Sequence, residues 1–149
     1  MRYVLLLMVA TLHACALPVS EAPAPQQLTT THAPDAVVSI AASVLAADGF
    51  EATTADAAGG ILVARREWRG AAAKQAHHCV WPAGSIGERN LVATQTVTVT
   101  ARAAGEGSAV TIASRTVSQS VGVRRPAETE CVSNGSVEER VSTALAVDP

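Results

Sequence analysis

Aromatic side chains are scarce: two Trp, one Tyr and one Phe make up 3% of 149 residues. So few rings exclude a base-stacking platform and an aromatic-lined sugar groove. Charge is thin as well. Charged residues are 16% and the formal net charge is −2, which leaves no nucleic-acid footprint and no polybasic patch for a membrane surface. The chain is too short for two domains, and the longest apolar run falls short of the about 20 residues a spanning helix needs. What is plentiful is small apolar residues. Hydrophobic residues are 48%, a figure inflated by Ala, and this argues against disorder, collagen and a multi-domain enzyme.

The N-terminus reads as an address. Arg2 and the amino group supply a positive start, and Tyr3 to Leu12 form an apolar run of ten. That is the length of a secretion signal's hydrophobic region. Leu12-His13-Ala14-Cys15 then resembles the bacterial lipobox, with Leu at −3, a small residue at −1 and Cys at +1. His13 departs from the small or hydroxylated residue usual at −2. The resemblance implies cleavage after Ala14 and fatty acylation of Cys15, with diacylglycerol on sulfur and a further acyl (palmitate) chain on nitrogen. Each buried methylene contributes about 0.8 kcal/mol, so several chains hold a protein on a bilayer where one would not. Ala16 follows the Cys where Asp marks inner-membrane retention, which implies an outer-membrane, periplasm-facing lipoprotein.

Residues 15–33 read as the lipidated N-terminus and a Pro-rich tether, because four of the seven prolines lie between Leu17 and Pro34. Such a segment is semi-extended at about 3.1 Å per residue. A single domain is expected over 34–149. Val37, Ile40, Ala41, Val44 and Leu45 form one helical stripe from Pro34 to about Asp48, with Gly49 as the stop and Phe50 folding back. Residues 50–54 and 61–66 read as a hairpin around Asp56 and Gly59-Gly60. Between 67 and 90 only a short helical or extended piece near Ala71 to Val80 is indicated. Leu91 to Ala103 and Ser108 to Ser118 alternate. A two-residue Gly105-Glu106 turn sets Ala101 opposite Val110 and Val99 opposite Ile112, so the apolar sets share a face and Thr96, Thr98 and Thr100 take the other. Ser136-Val137-Glu138-Glu139 matches a capping box ahead of a helix that buries Val137, Val141, Ala144 and Leu145. The expected fold is α+β, a two-layer sandwich of a four-stranded antiparallel sheet with two main helices on one face, in the order α-β-β-β-β-α.

Two cysteines remain beside Cys15. For an exported protein Cys79 and Cys131 favour a disulfide. Two free thiols, or a zinc site drawing on His77, His78, Cys79 and Cys131, are the alternatives. His78 as a base for a Cys79 nucleophile is the one catalytic arrangement on paper, and no oxyanion-hole, phosphate-loop or zinc-protease motif accompanies it. The densest basic patch is Arg65, Arg66 and Arg69 with Trp68, read as a solvated strand end with an anion or partner contact as alternative. Asn134-Gly135-Ser136 fits a glycosylation sequon and is better explained as the turn before the last helix. No catalytic residue, cofactor or metal is expected.

Ala36 to Val63 carries an Ala/Val-rich helix, then Gly49-Phe50-Glu51-Ala52-Thr53, Asp56 and Gly60-Ile61-Leu62-Val63. This is similar to a signature of small envelope lipoproteins that includes the domains of BamC-type proteins, accessory members of the outer-membrane β-barrel assembly machinery. The resemblance covers under a quarter of the chain. It implies helices packed on one face of an antiparallel sheet, and an envelope protein as partner. The function expected is a non-enzymatic lipoprotein held to the bilayer through Cys15 and presenting a binding or assembly module. A carrier or sensor of a small ligand held between sheet and helices is the alternative, and a thiol or metal enzyme centred on Cys79 a weaker one.

Overall fold

A computed structural model describes residues 24–76, 90–121, 128–131 and 133–147. Its elements run β1 (Gln26–Thr30), α1 (Pro34–Ala47), β2 (Glu51–Asp56), β3 (Ile61–Arg69), α2 (Ala71–Ala76), β4 (Leu91–Ala104), β5 (Gly107–Ser120), β6 (Glu128–Cys131) and α3 (Ser136–Ala146). The strands form an open antiparallel sheet in the order β1-β5-β4-β3-β2, and β6 joins β5 on the same side as β1.

The class is α+β, but the expected four strands and α-β-β-β-β-α order are overturned by six strands and three helices among the described residues. Three elements account for the difference. Residues 26–30, read as tether, are an edge strand whose Leu28 lies opposite Val110 of β5. Pro25, without an N–H to donate, ends the ladder there. The domain therefore starts by Gln26 and not at residue 34. Glu128–Cys131 adds a short strand against Thr116–Gln119. The stretch after Gly70 resolves into α2, and β3 runs on to Arg69.

The local grammar of α1 holds. Pro34 sits in the first turn, and Asp35 complements the positive helix end. At the other end Gly49 takes φ 78°. Its N–H donates to the Ala46 carbonyl at 2.9 Å, and Phe50 N–H donates to the Leu45 carbonyl at 2.9 Å. This is the paired bonding of a Schellman stop, and it folds Phe50 into the core. In the β2–β3 hairpin Asp56 Oδ1 accepts the Gly59 N–H at 2.8 Å. Gly60 is fixed by space: a Cβ there would lie 2.1 Å from the Ala101 carbonyl oxygen, and its φ is 66°.

The β4–β5 hairpin has the register that alternation and the turn require, with Ala101 opposite Val110, Val99 opposite Ile112 and Ala104 opposite Gly107. Val97, Val99, Ala101, Val110 and Ile112 all face inward and are buried. They meet Val37, Val38, Ala41 and Leu45 of α1 and Val137, Val141 and Leu145 of α3 in one core. Thr96, Thr98 and Thr100 lie half-buried on the opposite face. Ala73 of α2 extends the covered face toward Leu91 and Ala93.

The capping box at Ser136 does not form. The residue preceding α3 is Gly135, at φ 75°, and Ser136 begins the helix with no side-chain cap. Asn134 Oδ1 accepts both the Ser136 N–H (3.1 Å) and its hydroxyl (2.8 Å). The Glu139 N–H donates instead to the Gly135 carbonyl at 2.9 Å. Asn134-Gly135 thus makes the turn.

Candidate functional site

The residues singled out at the N-terminus, Leu12, Ala14 and Cys15, lie outside the described residues, as do His77, His78 and Cys79. Cys131 is described. It closes β6 opposite Thr116, is 5% exposed, and is disulfide-bonded. With three cysteines in the chain, its partner is Cys15 or Cys79. In this oxidised form Cys131 has no thiolate to offer a metal or a substrate.

The arginine patch is taken apart by the fold. Strand alternation sends Arg65, Glu67 and Arg69 to the outer face and Arg66 and Trp68 toward the helices. Arg66 Nη1 donates to the Asp48 carbonyl at the end of α1, and its guanidinium lies 4.7 Å over the Trp68 ring. Trp68 meets Phe50 edge-on with ring centroids 6.3 Å apart. The Asp48 carboxylate receives Arg140 of α3 at 2.7 Å. Two cations from different elements therefore finish the negative end of α1 and bind α1, β3 and α3 together. Arg69 pairs with Glu67 at 2.7 Å, and Arg65 donates to Thr94 Oγ1 at 3.4 Å. A groove of about 550 Å³ beside them is lined by Glu51 and Glu67 as well as Arg65 and Arg66. Its balanced charge gives an anion no net attraction. The reading as a solvated strand end fits Arg65 and Arg69, whereas Arg66 and Trp68 are half-buried and face the helices.

A feature that alternation concealed lies at the other end of the sheet's inner face. Beyond Ile112 the buried positions of β5 become polar, Thr116, Ser118 and Ser120, and Gln95 of β4 is buried with them between the apolar Ala93 and Val97. Beside them Glu138 turns inward from α3, 5% exposed, and accepts hydrogen bonds from Ser114 Oγ and, at 2.9 Å, Ser133 Oγ. Thr116 Oγ1 and Ser118 Oγ have no hydrogen-bond partner among the described residues. In sequence these residues read as one more strand. The only signal was the replacement of Val and Ile by Thr and Ser at the inward positions of β5.

On the outer face Arg115 pairs with Glu130 of β6 at 2.9 Å, and this hydrogen bond and charge hold the Arg115 pKa above its ordinary value. Among the described residues no helix is long and apolar enough to cross a membrane, and no group of three or more His, Cys, Asp or Glu stands close enough to share a metal ion. No protein-family model matches the chain, and no curated protein matches it.

Proposed function

We propose that this chain is a lipid-anchored envelope protein: residues 1–14 are a signal, Cys15 is acylated, and the α+β domain is held on the periplasmic side of the outer membrane as a binding or assembly-accessory module without catalysis. The observation that carries the reading is the Leu12-His13-Ala14-Cys15 run placed directly after a short apolar stretch. Two further points support it. Ten residues, rich in Pro and Ala, separate Cys15 from Gln26, the first strand residue. At about 3.1 Å per residue they reach roughly 30 Å, so the domain rides close to the bilayer. A disulfide at Cys131 also suits an oxidising compartment.

In this reading Cys79 is the partner of Cys131, because an acylated Cys15 has no sulfur to share. The resemblance over Ala36–Val63 covers most of α1, all of β2 and the start of β3, and the partner it brings is another envelope protein. Cys15→Ala tests the anchor: the protein moves from the membrane fraction to the soluble periplasm, and unchanged fractionation overturns the reading.

A further inference from the structure

The sheet has two kinds of edge. β2 is blunted: its register shifts between Ala52 and Thr54, Thr53 Oγ1 donates to the Val63 carbonyl at 3.1 Å, and Glu51 and Asp56 stand at its ends. β6 is four residues long and carries Glu128 and Glu130. These are the devices that keep an edge from pairing with another chain. β1 has no bulge and no charge. Its sequence is Gln-Gln-Leu-Thr-Thr, and no Lys, Arg, Asp or Glu occurs between Glu21 and Asp35. Among the described residues β1 ends the strand order and pairs with β5 alone, and it is flanked by a groove of about 510 Å³ on Leu28 and Val110 and another of about 380 Å³ between Thr30 and Leu145. Val147, 65% exposed, lies at the same rim, where its carbonyl is 3.2 Å from His32 Nε2.

We infer that β1 is a self-association edge: two copies of this chain pair β1 to β1 antiparallel about a twofold axis through Leu28, joining two sheets into one. A second copy fits because the strand is complementary to itself. Centring on Leu28 sets Leu28 against Leu28, on the face where each already packs half-buried on its own core, and sets Gln27 against Thr29. No like charges meet, and the contact is isologous and closed. The twofold lies along the sheet normal, so both copies turn the same face to one membrane and both tethers can reach it. A five-residue strand pair is about 17 Å long. It buries less than the ~1,200 Å² of a stable interface, so the dimer is weak in solution and strengthened by confinement.

The proposal rests on β1 alone and not on the anchor. The test is sedimentation velocity of the chain carrying Cys15→Ala, from about 5 to 500 µM, a range suited to a weak contact. The Gln27→Glu/Thr29→Glu and Gln27→Lys/Thr29→Lys variants are compared with it, since both side chains are exposed and outside the core. The unsubstituted chain shows a concentration-dependent dimer. Each charge variant weakens it at least about tenfold, because like charges then stand directly opposite at two places. An equimolar mixture of the two variants restores it, since Glu then faces Lys. A chain that stays monomeric throughout overturns the proposal, and so does a dimer indifferent to both variants or a mixture that fails to recover. Failure of the anchor reads out separately, in fractionation.

Discussion

Thr116 and Ser118 sit on the inward side of β5, each 0% exposed, with hydroxyls that find no hydrogen-bond partner among the described residues. A buried hydroxyl without a partner costs about 1–3 kcal/mol relative to the same group in water. Thr116→Val replaces that hydroxyl with a methyl of the same shape and removes the cost. The expected result is a gain of about 1 kcal/mol, read as a higher urea midpoint at unchanged m. A loss of stability instead means the hydroxyl is satisfied by ordered water in solution. This part of the molecule was illegible in the sequence for a physical reason. Alternation reports which way a side chain points, and Thr, Ser and Gln at inward positions leave the parity of the pattern intact while changing its chemistry. Glu138 hid in the same way: the capping box pattern ends on Glu139, while the residue before it turns toward the sheet.

At the scale of elements, legibility followed the distance over which a signal acts. The stop of α1 at Gly49-Phe50 is encoded within five residues, and the β4–β5 register within a two-residue turn and the alternation flanking it. Both stand in the structure as the sequence implies. β1 and β6 are held by β5, about 80 residues and 9 to 15 residues away along the chain, and neither has enough inward apolar residues to announce itself. Leu28 is the only large apolar residue of β1, and Cys131 the only buried residue of β6. Glutamine and threonine on a five-residue edge look the same as a tether until the neighbouring strand is known. The contact that locks the β2–β3 hairpin onto β4 also acts at this scale. Ala101 N–H donates to the Gly60 carbonyl at 2.7 Å, and the space for a Cβ at Gly60 is filled by the Ala101 carbonyl. Gly60→Ala therefore forces both an unfavourable φ and a backbone clash. The expected loss is about 2–4 kcal/mol, above the usual cost of a point substitution, checked by chemical unfolding. A change below about 0.5 kcal/mol would mean the hairpin moves off β4 freely.

For the whole molecule the three cysteine sulfurs form one constraint. Cys131 is oxidised, so one of Cys15 and Cys79 is its partner, and a sulfur joined to a diacylglycerol by a thioether cannot also be that partner. One measurement thus tests the anchor and the pairing of the disulfide together. Under the proposed reading, peptide mapping of unreduced protein from the membrane fraction of its host is expected to give a cross-linked pair containing Cys79 and Cys131, and an N-terminal peptide beginning at Cys15 with acyl mass. A Cys15–Cys131 pair would remove the anchor and with it the proposed location. The energetic consequence follows from the same pairing. Closing the 53 residues from Cys79 to Cys131 restricts the unfolded chain by roughly 4 kcal/mol in the loop-entropy model. A domain of this size has about 5–15 kcal/mol in all, so Cys131→Ala is expected to lower unfolding stability by about 2–4 kcal/mol. Dithiothreitol should then shift the thermal midpoint of the unsubstituted protein and leave that of Cys131→Ala where it is. A reductant effect that persists in the variant would mean that another sulfur pair carries the stabilisation.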